Sequence, residues 1–489
     1  MEPSKPLREK ILTPTTINAN VIRAEYAVRG ATAKRASEIH EDLKKGSKKY
    51  PFNEVLFCNI GNPMKVGQEP VQFYRQVLAV LMDQSLLDSP SIPEGVKARA
   101  RFYLSKIDGG IGAYSESNGF KFVRERVAKF IEQRDKTGVP VDPESIWLAD
   151  GASQAIALLI TTLTRDSDDG MMIPIPQYPL YSAQMAIAGC KEVPYYLDEA
   201  NGWQIDFEDL ENSYREAYKK GINTKAICVI NPGNPTGQIL KEDTIRKIIE
   251  FAVNKKLVIL ADEVYQDNIY KEGAEFVSFR KVMHSMPSPY CEAEIFSFHS
   301  ASKGLAGECG LRGGYMHWEN IIPEVAAQLN KHKWIFLSNN TVGQIMVDLI
   351  TNPPNISENG EEVTQAFFDE IAKRKESMKR RAKMVTKYLN ELEGVSSNEV
   401  EGAMYAFPKI NLPEKAIAQA KKQGIAPDLL YALELLENTG ICGVEGTGFR
   451  QREGTYHVRL TTLILPESRF EEKLKNMKSF HAEFLKRYS

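Results

Sequence analysis

The chain has 489 residues, 43% of them hydrophobic and 26% charged, enough apolar material for a large core and too much for one small lobe. Lys and Arg total 62 against 64 Asp and Glu, a formal net charge of -2, so no global field favours a polyanion and nucleic acid is not an expected partner. The cysteines (Cys58, Cys190, Cys228, Cys291, Cys309 and Cys442) lie scattered without a C-x-x-C pair, which suits reduced thiols better than a disulfide framework or a zinc site.

The opening Met-Glu-Pro-Ser-Lys-Pro carries an early acid, two prolines and no apolar core, so no secretory signal is expected. No apolar run approaches the roughly 20 residues of a membrane span. A cytoplasmic protein without a membrane partner is the expectation. Residues 1–50 read as a polar, basic extension packed on another surface, and its most ordered-looking patch is Val21-Ile22 followed by Glu25-Tyr26-Ala27-Val28-Arg29-Gly30.

From there strands and helices alternate. A strand is predicted at 145–149, then Gly151-Ala152-Ser153 and a helix over 154–163. A strand at 171–175, a helix at 180–188 and a strand at 193–197 follow. A helix is then framed by Asp206 as N-cap and Gly221 as stop, with Phe207, Leu210, Tyr214 and Ala217 on one face. Further strands are expected at 226–230, 258–261 and 295–298, all continuous apolar runs of the kind covered by helices on both faces. After Asn352-Pro353-Pro354-Asn355 a long helix over about 362–392 carries Val363, Phe367, Ile371, Met378, Val385 and Leu392 near one stripe. Short strands at 404–407 and 458–462 suggest a second lobe. The fold class is therefore α/β: a large lobe with a mostly parallel sheet plus a smaller α/β lobe. The expected division is an extension (1–50), a large domain (51–355, its first part contributing to the small domain) and a small domain (356–489).

Ser300-Ala301-Ser302-Lys303-Gly304 follows the 295–298 strand and leads to Arg312-Gly313-Gly314-Tyr315. A lysine at a strand end among hydroxyls and glycines suits a Schiff-base lysine, because small neighbours admit a flat cofactor while Ser300 and Arg312 can bind a phosphate. Upstream, the 257–261 strand ends in Asp262-Glu263-Val264-Tyr265, placing a carboxylate where open α/β sheets bind ligands. Pyridoxal phosphate needs such an acid beside its ring nitrogen, with Tyr265 in reach of its phenolic oxygen. Asn231-Pro232-Gly233-Asn234-Pro235-Thr236-Gly237 presents Asn234 at another strand end, and Gly151-Ala152-Ser153 opens a helix whose free amides favour phosphate. Taken singly, each has a plainer reading: a solvated lysine, a helix-capping aspartate, a rigid turn.

Together they resemble the fold-type I, class I pyridoxal-phosphate aminotransferases, and within these the alanine aminotransferases. The resemblance runs over nearly the whole chain after the first twenty or so residues. It includes Glu25–Gly30 (EYAVRG), Cys58–Pro63 (CNIGNP), Gly112–Ser115 (GAYS), Asp150–Ser153 (DGAS), Pro174–Ser182 (PIPQYPLYS), Val229–Gly237 (VINPGNPTG), Leu260–Tyr265 (LADEVY) and Glu401–Phe407 (EGAMYAF). The most specific segment is Ser302-Lys303-Gly304 with Gly307-Glu308-Cys309-Gly310 and Arg312-Gly313-Gly314-Tyr315. The resemblance implies Lys303 as Schiff-base lysine and proton shuttle, Asp262 as pyridinium partner, and Asn234 and Tyr265 as partners of the ring oxygen. It implies that Ala152, Ser153, Ser300 and Arg312 hold the phosphate, that Tyr178 stacks on the ring, and that Tyr114 reaches the phosphate of a neighbouring subunit. Arg459 is implied as the clamp for the substrate α-carboxylate, with Gly61 and Asn234 beside it. Two departures stand out: Leu305-Ala306 where aromatic residues are common, and Arg450 where a small residue is usual.

The implied activity is ping-pong transamination of L-alanine and 2-oxoglutarate to pyruvate and L-glutamate, with amino acids and 2-oxo acids as small-molecule partners and a homodimer as the assembly. The alternatives are a transaminase with another donor or acceptor, such as glyoxylate, and a lyase of the same fold such as an aminocyclopropane-carboxylate synthase. A non-catalytic ligand-sensing protein is disfavoured by the retained set Lys303, Asp262, Arg312 and Arg459.

Overall fold

Uninterrupted aliphatic and β-branched runs cannot lie on a solvated sheet face, and the computed structural model, which describes residues 10–26 and 30–489, buries them between helices. The opening hexapeptide and the Ala27-Val28-Arg29 part of the ordered-looking patch lie outside the described residues.

Helices α1 (Ala19–Arg23) and α2 (Ala31–Lys44) precede strand β1 (Leu56–Phe57) and helices α3 (Gln72–Met82), α4 (Glu94–Leu104) and α5 (Lys121–Asp135). Then come β2 (Ile146–Asp150), α6 (Ala152–Leu163), β3 (Asp169–Ile175), α7 (Leu180–Ala188), β4 (Lys191–Asp198), β5 (Gln204–Ile205), α8 (Phe207–Lys219), β6 (Asn223–Ile230), α9 (Glu242–Lys255), β7 (Val258–Asp262), α10 (Phe279–His284), β8 (Ile295–Ser300) and β9 (Gly313–Glu319). The remainder holds α11 (Pro323–Trp334), α12 (Thr341–Thr351), α13 (Ile356–Asn359), α14 (Glu361–Asn390), β10 (Val395–Ser396), β11 (Tyr405–Ala406), β12 (Lys409–Ile410), α15 (Glu414–Gln423), α16 (Pro427–Thr439), β13 (Ile441–Cys442), β14 (Val444–Glu445), β15 (Val458–Thr461) and α17 (Glu467–Tyr488).

Eight strands form the main sheet in the order β2-β9-β8-β7-β6-β3-β4-β5. The centre is parallel, through β8–β7, β7–β6, β6–β3 and β3–β4, while β9 runs antiparallel to both neighbours. The reason is local: residues 301–312 hold only the short turn Cys309–Leu311, too little chain to cross back for a parallel strand. As a result the start of β9 meets the ends of β2 and β8, with Gly313 opposite Asp150 and Gly314 opposite Ser300. In register beside them, Asp262 ends β7 between Ile230 and Phe298. One sheet edge thus collects the segments that the sequence marks as reactive.

Element edges differ from expectation where a strand or helix leaves the core. β6 begins at Asn223 because Asn223 and Thr224 pair with β3 although exposed or half-buried, so no apolar signal marks them. α6 begins at Ala152, immediately after Gly151, whose φ of 76° and ψ of 159° suit glycine. Asp206 caps α8 as expected, accepting hydrogen bonds from the amides of Glu208 and Asp209. The long helix buries Phe367, Met378 and Val385 from its predicted stripe, and also Arg381, whose Nη1 reaches the Leu463 carbonyl.

β1 pairs in parallel with β13, and β15 lies between β11 and β14, so residues before the main sheet add a strand beside the C-terminal part of the chain. In the extension, α2 packs Ala36 and Ile39 near Leu436, and α1 rests on α7, where Asn20 Nδ2 donates to the Ile187 carbonyl at 3.2 Å. All the cysteines are free thiols, and Cys58, Cys190, Cys228 and Cys442 are buried. Among the described residues no helix is long and apolar enough to cross a membrane, and no cluster of His, Cys, Asp and Glu could hold a metal ion.

Candidate active site

The reactive sheet edge borders a cavity of about 220 Å³. Its lining includes Gly61, Ala152, Ser153, Tyr178, Asn234, Asp262, Tyr265, Ser300, Lys303 and Arg312, so these predicted residues converge on one space. Arg459 lies directly behind it. Tyr114 does not line it and is 83% exposed.

One end of the cavity is built for an anion. The α6 N-terminus has no side-chain cap, which leaves its first amides and the positive end of the helix dipole facing outward. Arg312, in left-handed conformation at φ 58°, is fixed by Nη1 to the Cys309 carbonyl (3.0 Å) and by Nη2 to the Asp150 carbonyl (2.9 Å) and Ser153 Oγ (3.3 Å). A Cβ on Gly151 would sit 2.2 Å from Arg312 Nη2, so only glycine lets the guanidinium reach the helix start. Ser300 Oγ donates to the Gly313 carbonyl (3.2 Å) and accepts from the Ser302 amide (3.0 Å), turning the chain from β8 toward Lys303.

Asp262 closes the other end. It is buried, and Tyr181 on α7 donates its hydroxyl proton to Oδ2 at 2.9 Å. Burial pushes this carboxyl up to about 6, while the Tyr181 hydroxyl, the Val264 amide and the charge of Lys303 work in the opposite direction. A cation placed against Asp262 would reverse the balance. Between the two ends, Asn234 Nδ2 donates to the Tyr265 hydroxyl at 3.2 Å, and the Lys303 ammonium lies 5.5 Å from the centre of the Tyr265 ring.

Arg459, on β15, is almost fully buried. Nη1 donates to Asn234 Oδ1 (3.0 Å) and Nη2 to the Asn59 carbonyl (2.5 Å). Its guanidinium carbon lies 4.2 Å from the Tyr405 ring centre and 4.9 Å from that of Phe449, while Nε is buried without a partner. A planar cation clasped by rings and holding an unused donor is suited to a carboxylate.

Three contributors escaped the sequence reading. Tyr181 sits three residues after Tyr178, and nothing in PIPQYPLYS tells the two tyrosines apart. Tyr405 belongs to EGAMYAF but carries no local mark of function. Tyr26 donates to or accepts from Tyr178 across hydroxyls 3.0 Å apart, which brings the extension to the cavity mouth. The departures at Leu305-Ala306 and Arg450 lie outside the lining: Leu305 gives its carbonyl to Arg374 (2.9 Å), and Arg450 pairs with Glu192.

These donors fit pyridoxal phosphate on the structure's own terms. The uncapped helix start with Arg312 suits a phosphate, the buried Asp262 suits a protonated ring nitrogen, the Asn234–Tyr265 pair suits a phenolic oxygen, and Lys303 supplies the amine.

Comparison with known proteins agrees. A family model described as aminotransferase class I and II matches residues 82–469. An alanine aminotransferase 2-like protein of Danio rerio is 46% identical, covering 99% of this chain and 88% of that one. A glutamate–glyoxylate aminotransferase of Arabidopsis thaliana is 44% identical over 98% of both. The solved structure of an alanine aminotransferase from Pyrococcus furiosus superposes with a TM-score of 0.74 at 24% identity, covering 96% of this chain and 100% of that one, a likeness of fold. The sheet order, the donor set and these likenesses lead to one conclusion: the chain belongs to the class I and II aminotransferases.

Proposed function

We propose that the chain is an alanine:2-oxoglutarate transaminase, forming pyruvate and L-glutamate in two half-reactions at one pyridoxal-phosphate site. The observation that carries this reading is the convergence of Lys303, Asp262, Arg312 and the free α6 N-terminus on one cavity with Arg459 beside it. Bound pyridoxal phosphate supplies an electron sink for the charge left when a proton leaves the substrate α-carbon. Lys303 Nζ would anchor the cofactor and is the base placed to take that proton. Asp262, oriented by Tyr181, keeps the ring nitrogen protonated. Asn234 and Tyr265 hold the ring oxygen, and Tyr178 stacks on the ring. The amides of Ala152 and Ser153, with Ser300 and Arg312, hold the phosphate. Arg459 grips the α-carboxylate beside Gly61 and Asn234, which fixes the α-carbon before Lys303. Among the residues lining the cavity the cations are Lys303 and Arg312, both committed to the cofactor, and Ile60, Ile156, Leu180, Ile230 and Val264 make the rest of the wall mainly apolar beside Asn62, Ser302 and Cys309. Such a wall suits a donor with a small apolar side chain.

The 44% identical glutamate–glyoxylate relative favours a second reading, the same chemistry with glyoxylate as acceptor. The deciding experiment mixes holoenzyme with single amino acids and follows cofactor absorbance and oxo-acid release. Conversion by L-alanine and L-glutamate, with 2-oxoglutarate restoring the starting spectrum, is expected. Restoration by glyoxylate but not by 2-oxoglutarate would replace the acceptor. An eliminated product in place of pyruvate would replace transamination with lyase chemistry.

The assembly belongs to the same proposal. Tyr114 is 83% exposed, and its neighbour Ser115 donates its amide to Ser338 Oγ at 3.1 Å, beside the exposed run Trp334-Ile335-Phe336-Leu337. Asn340, at the end of that run, gives its amide to Asp150 Oδ1 next to the phosphate cradle. A second copy covering this apolar surface would bring Tyr114 toward its neighbour's cradle, and light scattering at twice the chain mass is the expected result. The division into an extension over 1–50, a large domain over 51–355 and a small domain over 356–489 fits the β1–β13 pairing if β1 is assigned to the small domain. Free, mostly buried thiols support a cytoplasmic setting, testable by fractionation.

A further inference from the structure

Behind the phosphate end, a row of polar side chains runs from α11 to the turn that opens α6. Lys333, almost fully buried near the end of α11, donates its ammonium to Asn339 Oδ1. Asn339 Nδ2 donates to Gln154 Oε1 (2.6 Å), and the same oxygen accepts the Asp150 amide (2.9 Å). Each step fixes the next. An ammonium only donates, so Asn339 must turn its side-chain oxygen to Lys333 and its NH2 to Gln154, which in turn must face its own oxygen toward both donors. Gln344 on α12 holds Asn339 from the other side, donating Nε2 to its carbonyl (3.0 Å) while Oε1 accepts the Phe120 amide (2.8 Å).

Asp150 is where this row meets the cofactor end. Its amide is held by Gln154, its carbonyl by Arg312 Nη2 (2.9 Å) and its Oδ1 by the Asn340 amide (2.9 Å). Asn340 Nδ2 also donates to the carbonyl of Leu311, the residue before Arg312, at 2.8 Å. Directly after Asp150 the chain turns at Gly151 into the uncapped start of α6. None of Lys333, Asn339 and Gln154 lines the cavity, so any influence they have on a ligand passes through this turn.

We propose that Asn339 is a positioning residue for the cofactor phosphate: its amide, oriented by Lys333, sets Gln154 and thereby the Asp150–Gly151 turn that aims the α6 amides and Arg312 at one point. Helix-start amides reward an anion only where they converge on it, so a turn free to rock would spread those donors and weaken the phosphate without touching the ring end.

The assignment rests on the reading that α6 and Arg312 hold the phosphate, and two aldehydes test it: pyridoxal phosphate, and pyridoxal, which lacks the phosphate. Each is titrated into the full chain freed of cofactor, and the absorbance of the lysine-bound form is followed. Wild type is expected to bind pyridoxal phosphate far more tightly than pyridoxal. Gln154→Met, which keeps the helix and removes the shared acceptor, and Asn339→Ala are each expected to weaken pyridoxal phosphate about three- to tenfold, while pyridoxal stays within about twofold of wild type. The double variant should lose no more than the larger single loss, because both changes break one row. A variant that weakens both aldehydes alike, or neither, would overturn the positioning role, and losses that multiply in the double variant would overturn the relay through Gln154. Gln154 is only half-buried, so Gln154→Met decides the first point alone if Asn339→Ala does not fold. A wild type no tighter for pyridoxal phosphate than for pyridoxal would instead overturn the phosphate reading from which the assignment starts.

Discussion

Replacing Asp262 by Asn is expected to stabilise the cofactor-free chain while disabling the site. Asp262 is buried, and burial raises its carboxyl from the ordinary 3.8 to about 6. Below the lower value the folded and unfolded chains both carry a neutral acid, so Asp262 costs the fold little. As pH climbs from 3.8 to about 6 the unfolded chain gives up this proton while the folded chain retains it, so stability is lost, and above about 6 the folded chain holds a buried anion and the loss levels off. The displacement of roughly two pH units converts to about 3 kcal/mol at neutral pH, falling to about 1 kcal/mol near pH 4.5. Asparagine keeps the shape, offers an oxygen to the Tyr181 hydroxyl, and carries no charge at any of these values. With unfolding entropy of about 2.1 cal/mol/K per residue, 3 kcal/mol corresponds to about 3 °C in a chain of this length. The assay is differential scanning calorimetry of apo wild type and apo Asp262→Asn across pH. The neighbouring Glu263, raised to about 7 chiefly by burial and further by the Asp262 charge, is relieved of that repulsion in the variant, which adds to the difference in the same direction. Adding pyridoxal phosphate should invert the order, because the ring nitrogen pairs with Asp262 and has no anion to meet in the variant. An apo variant no more stable than wild type at neutral pH, or a difference that does not shrink toward acid, would refute the reasoning.

Gly151→Ala is expected to weaken cofactor binding by about a hundredfold in an absorbance titration, since its φ of 76° with ψ of 159° costs alanine about 1–3 kcal/mol and its Cβ, 2.2 Å from Arg312 Nη2, displaces the phosphate donor. Arg459→Lys should raise KM for both alanine and 2-oxoglutarate about tenfold or more with a smaller change in kcat, because an ammonium cannot reproduce a two-pronged fork clasped between Tyr405 and Phe449. Lys303→Ala should abolish turnover and the absorbance of the lysine-bound cofactor, while phosphate-end binding persists in equilibrium dialysis; retained turnover would remove Lys303 from its role.

The chemistry of the cofactor end was legible in the sequence because it is local. Lys303, Asp262, Asn234 and Ser153 each follow an apolar strand, and a sheet whose central strands run parallel delivers such strand ends to one edge whatever the details of packing. Glycines at 151, 313 and 314 announced close approach, and the structure shows which partner each approaches. The departures at Leu305-Ala306 and Arg450 stay out of the lining for a reason the sequence could not carry: Leu305 and Ala306 pack into the hydrophobic core, and Arg450 pairs with Glu192.

What one-dimensional order determined, then, is the set of strand–turn–helix units and the reactive residues at their ends, since hydrophobic periodicity and turn chemistry act over a few residues. Tertiary structure alone decided that β9 turns back so that Arg312 meets the start of α6, that Tyr181 rather than Tyr178 orients Asp262, that Tyr26 of the extension reaches Tyr178, and that Arg459 reaches Tyr265 through Asn234 while its guanidinium lies over the Tyr405 ring. Those contacts join residues far apart in the chain or tell apart side chains of the same kind, and they depend on packing geometry for which neither composition nor period carries a signal.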